Sequence, residues 1–173
     1  AYHGLNVINT SPRAGFEAII ANLNKTKLTI TDVVFTIAPR INAAGRMKHG
    51  LHAVELLKET DLEKAQEFAA SIENYNSDRR ELDTSITQEA LEQIIAHQEE
   101  DKFTSVVYDP SWHKGVIGIV ASRLIENYYR PTLVFCKSGD QLAASARSVR
   151  GFDVYNALEQ CADYIEQFGG HMY

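Results

Sequence analysis

The sequence predicts an α/β protein: a helical N-terminal part, a long connector helix, and then a small mixed sheet with helices packed on it. Three observations support this class. Apolar residues at helical spacing dominate the first part of the chain. No glycine lies between Gly50 and Gly115 and no proline between Pro39 and Pro110, so a long interval lacks the usual helix breakers. From residue 102 onward, short β-type runs alternate with helical segments, as in α/β layers.

Two helices are predicted in the N-terminal part. The first begins at Ser11–Pro12, because apolar residues follow it at helical spacing: Phe16, Ile19, Ile20 and Leu23. A mixed run then ends at Ala38–Pro39, where proline should interrupt the backbone hydrogen bonding. A second helix should extend from Ala43 or Arg46 to Lys58.

The predicted connector helix begins near Asp61, since Thr60 and Glu63 have the spacing of a capping box. Apolar residues then recur at helical spacing, and one helix could continue to about Glu100. At 1.5 Å per residue such a helix would be roughly 60 Å long, which suits a connector between two separately packed parts. The apolar stripe weakens at Tyr75–Arg80, where a bend or an exposed middle is expected.

The C-terminal part should form the mixed sheet. The predicted order is strand 103–108, helix 116–129, strand 132–136, strand 141–147 and helix 153–167. These elements divide the chain into three expected parts, with bounds 1–58, 59–101 and 102–173.

Composition indicates a globular protein, with 45% hydrophobic residues and a net charge of −6. The charge is uneven, because residues 1–50 carry six basic and two acidic side chains, whereas residues 51–101 carry four and fourteen. An acidic, solvated connector would leave the flanking parts free to present arginines to a phosphate backbone. No apolar run approaches the roughly 20 residues of a membrane span, and a cytoplasmic location is expected.

The run Trp112–Leu124 joins a polar, glycine-containing turn to an apolar helical face. After a strand, such a turn offers the free backbone N–H groups of a helix start to an anion, and Lys114 would add charge. Most strand-turn-helix units bind nothing, and that alternative stays open on these residues alone.

Two further segments combine arginine with small or hydroxyl side chains. In Pro39–Arg46, small residues would allow close approach to a ligand, and an arginine can bind phosphate in bidentate fashion. In Ser145–Ser148, two serines flank Arg147 at a strand end, as in a phosphate cradle. The alternatives are a helix start with solvated arginines and an exposed strand terminus.

Phe168–His171 places two glycines before a histidine, which suits a mobile loop whose His171 contacts a phosphate or a base. A helix end followed by a turn is the alternative. The other histidines have no acidic or cysteine partners at metal-ligand spacing, so no metal site is expected in this chain. Neither a Ser-His-Asp nor a Cys-His arrangement can be argued.

Together, these segments resemble the C-terminal part of the catalytic core of RecJ-type single-stranded-DNA-specific exonucleases, in the DHH phosphoesterase superfamily. The matching runs span nearly the whole chain: Ala38–Arg46, Trp112–Leu124, Ser145–Ser148 with Gly151–Asp153, and Phe168–His171. The tryptophan-containing run is specific to that family, whereas Gly-Gly-His is common to DHH-associated domains.

The resemblance implies a parent enzyme that removes nucleotides 5′ to 3′ from single-stranded DNA with two divalent ions, Mn²⁺ or Mg²⁺. It implies that residues 1–58 are the tail of the DHH domain, 59–101 the connector helix, and 102–173 most of the DHH-associated domain. The metal ligands would lie upstream of residue 1, so we expect a fragment without independent activity. DNA repair and recombination are the implied processes, and protein partners are left open.

By the same resemblance, Arg46, Ser145 and Arg147 bind the 5′-terminal phosphate, and the loop of Gly170 and His171 faces the substrate cleft. Further expected phosphate or DNA contacts are Asn42, His113 and Lys114, and no catalytic residue is expected in this chain. Two rival readings are a DHH-family oligoribonuclease or cyclic-dinucleotide phosphodiesterase, and a non-catalytic nucleic-acid-binding scaffold. The long connector and the tryptophan run disfavour the first, and the presence of Arg46 and Arg147 disfavours the second.

Overall fold

The computed structural model describes residues 1–23 and 25–172, and it divides into two compact units, Ala1–Arg80 and Glu81–Tyr173. The first unit is helical. Its elements are α1 (Tyr2–Thr10), α2 (Ala14–Ala21), α3 (Ile30–Asp32), a π-helical turn (Val33–Ile37), α4 (Ala38–Met47), α5 (Leu51–Lys58) and the first part of α6 (Leu62–Ala96). The predicted α/β class and the long helix are confirmed.

Two local predictions in this unit were wrong, and one helix was missed. The run predicted to be mixed and to end at Ala38–Pro39 is helical and continues there directly into α4, because proline in the first turn lacks an N–H that the helix does not need there. The predicted second helix is two helices, α4 and α5, separated at residues 48–50. The sequence analysis also missed α1, whose residues are largely exposed and so give no clear apolar stripe.

A cluster of small and branched apolar side chains forms the core of the first unit. Its buried members are Ala18, Ile19, Leu28, Ile37, Ala44, Ala53, Leu56, Ala65, Ala69 and Ile72. α2 and α5 pack closely at Gly15, where a Cβ atom would lie 2.1 Å from the carbonyl oxygen of Leu56. That contact requires glycine, since no side chain fits against the backbone at this distance.

Helix α6 is continuous and buries one residue every three or four positions over most of its length. The buried residues are Ala65, Ala69, Ile72, Asn76, Asp83, Ile86, Ala90 and Ile94. The sequence analysis expected a bend or an exposed middle at residues 75–80. The helix instead keeps a buried polar side chain there, Asn76, whose Oδ1 accepts a hydrogen bond from Arg79 at 3.0 Å. Hydrogen bonding therefore permits burial that apolar periodicity could not reveal.

The second unit contains a three-stranded mixed sheet. After the second part of α6 come β1 (Ser105–Asp109), α7 (Ile117–Asn127), β2 (Thr132–Ser138), β3 (Gln141–Arg147), α8 (Val154–Glu159) and a 3₁₀ turn (Ala162–Tyr164). The strand order is β1-β2-β3, with β1 and β2 parallel and β2 and β3 antiparallel. The predicted helix 153–167 was too long, because most residues after α8 are exposed and offer no apolar face to extend it.

Helix α7 packs against β2 and β3 and supplies much of the core of this unit. Val120, Ala121 and Leu124 are fully buried, as is Val134 on β2. Within residues 1–23 and 25–172, no helix combines the length and the apolar character needed to cross a membrane.

Candidate nucleic-acid interface

The hairpin of β2 and β3 sets the positions of Ser145 and Arg147. These residues are two apart on β3, so their side chains leave the same face of the sheet. Ser145 lies opposite Val134 and Arg147 opposite Thr132 in the antiparallel register. Helix α7 lies against these strands, so its surface residues can contact both side chains.

Three neutral acceptors surround the Arg147 guanidinium. Its Nη1 donates to the Ala146 carbonyl at 2.7 Å and to Ser145 Oγ at 3.3 Å, and its Nε donates to Ser122 Oγ at 3.2 Å. Among the residues that the structure describes, no carboxylate hydrogen-bonds or ion-pairs with Arg147. The positive charge is therefore held in place without being neutralised.

A cavity of about 180 Å³ lies beside this arginine. Its lining includes Ser145, Arg147, Tyr155, Gly170 and His171. Four of the residues proposed from the sequence thus meet at one concave surface. The aromatic rings of Tyr155 and Phe168 are 5.4 Å apart and form part of the wall.

Ser148 does not take the part that the sequence suggested. Its hydroxyl donates to the Phe152 carbonyl at 2.6 Å and so closes the turn before α8. The second hydroxyl on Arg147 comes instead from Ser122, on the neighbouring helix. Gly118 and Ser122 lie four residues apart on one face of α7. Sequence analysis missed both, although this spacing of small residues was the available signal.

Hydrogen bonds from backbone N–H groups to His113 stabilise the loop before α7. The His113 carbonyl accepts hydrogen bonds from Val116 N at 2.9 Å and Ile117 N at 3.3 Å, and His113 Nδ1 accepts one from Gly115 N at 3.1 Å. These bonds use N–H groups that the sequence analysis had offered to an anion. His113 thus shapes the loop.

Two further contacts fix the ends of this loop. Trp112 is buried and donates from Nε1 to Glu89 Oε2 on α6 at 2.8 Å. Lys114 extends towards the β2–β3 turn, with Nζ 3.4 Å from Ser138 Oγ, whereas Arg147 lies at the far end of β3. The structure therefore does not bring Lys114 to the cavity beside Arg147.

An ion pair with a buried carboxylate joins α6 to α7. Asp83 is 1% exposed and accepts hydrogen bonds from Arg123 Nε and Nη2, both at 2.7 Å. This bidentate contact raises the pKa of the Arg123 guanidinium above its usual value. Arg123 directly follows Ser122, so the ion pair anchors the turn of α7 that contacts Arg147.

Arg46 and Asn42 belong to the other unit. Both are exposed and lie four residues apart on α4, so they share one face of that helix. Arg40, in the same motif, donates from Nε to Glu73 Oε2 at 2.5 Å and from Nη1 to the Thr36 carbonyl at 2.8 Å. Arg40 is thus a packing residue.

The described residues offer no place for a metal ion of the expected kind. Within 1–23 and 25–172, no three His, Cys, Asp or Glu side chains gather as a ligand set. The buried thiol of Cys136 has its pKa raised by burial, and Cys161 is exposed.

Comparison with known proteins gives a family for the second unit and relatives for the whole chain. Residues 100–173 match the DHHA1 domain. The single-stranded-DNA-specific exonuclease RecJ of Bacillus subtilis is 40% identical over 141 residues, covering 80% of this chain and 18% of that protein. The protein of the same name from Haemophilus influenzae is 36% identical over 182 residues, covering 99% of this chain and 32% of the relative. The chain thus spans less than a third of either relative.

Solved structures agree with these relatives. A crystal structure of RecJ in complex with Mg²⁺ from Thermus thermophilus superposes with a TM-score of 0.86 at 30% identity, over 98% of this chain and 26% of that one. A structure of exonuclease RecJ bound to manganese gives a TM-score of 0.84 at 30% identity, over 98% of this chain and 42% of the other.

Proposed function

We propose that the chain supplies DNA contacts to a single-stranded-DNA-specific exonuclease, because it is similar to RecJ over 99% of its length and matches the DHHA1 domain at residues 100–173. The enzyme would hydrolyse phosphodiester bonds from the 5′ end. In this proposal residues 1–58 are the tail of the DHH domain, 59–101 the connector and 102–173 the DHH-associated domain. We also propose a cytoplasmic location for the enzyme.

The Arg147 guanidinium carries the proposal. Its described partners are two hydroxyls and a carbonyl, so its charge stays available to an anion at the cavity. A guanidinium presents its N–H donors in a fixed plane, whereas a lysine ammonium is a point charge on a flexible stem. A 5′-terminal phosphate monoester has more charge than an internal phosphodiester and would gain most from this contact.

The other site residues have subsidiary parts in this proposal. Ser145 would donate its hydroxyl to the same phosphate, and Gly170 and His171 would line the path of the strand across the cavity. Arg46 and Asn42 would contact DNA from α4, while His113 and Lys114 would contact the backbone away from the 5′ end. These weaker contacts add affinity without distinguishing the end of the strand.

Catalysis would require residues outside this chain. RecJ relatives were solved with Mg²⁺ or manganese, and the described residues here contain no ligand set for such an ion. We therefore expect the purified chain to fold and to release no nucleotides from 5′-phosphorylated single-stranded DNA in the presence of Mn²⁺. Manganese-dependent release by the pure chain would overturn the placement of the metal ligands.

Binding by the chain itself tests the phosphate contact. We expect tighter binding of a 5′-phosphorylated single-stranded oligonucleotide than of its 5′-hydroxyl twin, measured by fluorescence anisotropy at fixed salt. Arg147→Ala should weaken binding of the phosphorylated strand by about 2–3 kcal/mol, the range for a charge-assisted hydrogen bond, with little change for the hydroxyl strand. Arg147→Lys should restore part of the difference.

Arg150→Ala is the matched control, because Arg150 is also exposed, lies three residues away and loses the same charge. It should weaken both strands equally, through general electrostatics. If Arg147→Ala also weakens both strands equally, recognition of the 5′ end by Arg147 is refuted. Tight binding of a 5′-phosphorylated dinucleotide, with no gain from a longer strand, would favour a dinucleotide phosphodiesterase.

A further inference from the structure

Gly118 lies directly against the two donors of the proposed phosphate site. A Cβ atom placed on Gly118 would be 3.0 Å from Ser145 Oγ and 3.3 Å from Arg147 Nη2. Both distances are shorter than a comfortable contact, so any side chain at this position would press on the hydroxyl and on the guanidinium together. Because position 118 is glycine, both donor atoms can lie this close to the backbone of α7 without a clash.

The Nη2 group of Arg147 is the part of the guanidinium that is available to bind a ligand. Nε and Nη1 donate to Ser122, Ser145 and the Ala146 carbonyl, as described above. Within the described part of the chain, Nη2 has no hydrogen-bond acceptor. The group free to bind an anion is thus the group next to Gly118.

Ser122 links the same glycine to the same arginine. Its hydroxyl donates to the Gly118 carbonyl at 3.2 Å, which directs an oxygen lone pair towards Arg147 Nε, 3.2 Å away. The chain of hydrogen bonds fixes the rotation of the guanidinium plane. Because Arg123 is anchored on buried Asp83, the turn of α7 that carries Ser122 has a fixed position within this unit.

We propose that Gly118 and Ser122 determine specificity for a terminal phosphate monoester, Gly118 by leaving room for Arg147 Nη2 and Ser145 Oγ at their present positions and Ser122 by orienting the guanidinium. The inference rests on the proposed function and extends it to two residues that themselves carry no charge. Both act on the ligand through Arg147 and Ser145, so they are positioning residues.

Gly118→Ala gives the sharpest test, because its effects on stability and on recognition have opposite signs. Alanine is the better helix former, and the two atoms that its Cβ would press on belong to side chains that can shift. The melting temperature should therefore stay equal or rise. The ratio of affinities for 5′-phosphorylated and 5′-hydroxyl DNA should fall at least tenfold, because the displaced donors can no longer meet the phosphate together.

Gly4→Ala is the matched control. Gly4 also lies within a helix, α1, and a Cβ there would meet no atom within 4 Å. This variant should gain stability in the same way and keep the wild-type affinity ratio. Ser122→Ala should lower the ratio about threefold to tenfold at nearly constant stability, and Ser122→Thr, which retains the hydroxyl, should recover it.

The two levels of the proposal fail differently. If wild-type protein does not distinguish the two strands, or if Arg147→Ala leaves the ratio intact, the proposed function itself is wrong. If Arg147→Ala abolishes the preference while Gly118→Ala and Ser122→Ala both keep it, only the role of α7 is wrong. If Gly118→Ala fails to fold, the affinity ratios of Ser122→Ala and Ser122→Thr test the role of α7.

Discussion

Helix α7 uses arginine in opposite ways on its two sides. On the side of α6, Arg123 of α7 donates two hydrogen bonds, each of 2.7 Å, to the buried carboxylate of Asp83. Towards β3, its Gly118 and Ser122 receive Arg147, which contacts hydroxyls and a carbonyl and retains a free Nη2 among the described residues. Arg123 stabilises the fold through its ion pair, whereas Arg147 keeps its positive charge available for a ligand.

The difference teaches that the partner of an arginine, more than its exposure, indicates its purpose. Arg123 has 47% of its side chain exposed and is nevertheless committed to Asp83. Arg40 behaves like Arg123, since Glu73 occupies its guanidinium in the first unit. A carboxylate cancels the charge that a phosphate would need, whereas a hydroxyl orients the guanidinium and leaves that charge in place.

The largest effect should come from the α6 side of the comparison. Asp83→Asn leaves a buried amide against a guanidinium and should lower the free energy of unfolding by about 2 kcal/mol, in the range for hydrogen bonds to charged groups. Urea denaturation would measure it. Asp78→Asn, at an exposed position of the same helix, should change stability by less than about 0.5 kcal/mol. Equal effects from both variants would mean that the Asp83–Arg123 pair does not anchor α7.

A smaller effect is expected where the loop before α7 meets α6. Trp112→Phe keeps a buried aromatic ring and removes the indole N–H that donates to Glu89. We expect a loss of about 1 kcal/mol in unfolding free energy, the usual value of one hydrogen bond. The same substitution in a Glu89→Ala background should then cost less, and full additivity of the two changes would contradict the assigned bond.

The smallest effect on stability should come from the β3 side. Arg147→Ala removes an exposed side chain with neutral partners, so the free energy of unfolding should change by less than about 0.5 kcal/mol. Calorimetry or urea titration of the variant used for DNA binding would show this. A loss above about 1.5 kcal/mol, well outside the usual range for a surface substitution, would place Arg147 with Arg123 as a structural residue and remove the contrast between the two sides of α7.

Much of the second unit follows from local spacing. The sequence predicted a helix over 116–129 and strands over 132–136 and 141–147, close to α7 at Ile117–Asn127, β2 at Thr132–Ser138 and β3 at Gln141–Arg147. Apolar periodicity suffices for such elements because each buries one face against a neighbouring layer. The placement of Ser145 and Arg147 on one face of a strand end was accessible for the same reason.

Apolar periodicity did not predict the structure where polar side chains are buried in place of apolar ones. It also failed where a proline is compatible with a helix. Asn76 continues the buried stripe of α6 within residues 75–80, which the sequence marked as the weakest part of the helix, and Asp83 continues the stripe beyond them. Their burial depends on hydrogen bonds from arginines, which a count of apolar residues does not register. Pro39 was expected to interrupt the backbone hydrogen bonding after a mixed run, although proline is equally suited to a first helical turn.

By itself, the sequence determined the long helix, the small mixed sheet, and a set of arginines and small residues suited to phosphate. Only the tertiary structure decided which arginine keeps its charge available. Asp83 reaches Arg123 across 40 residues of chain, and Ser122 reaches Arg147 across 25. Nothing in the local sequence of an arginine tells which of these partners it will meet, because the partner is brought by the packing of a distant element.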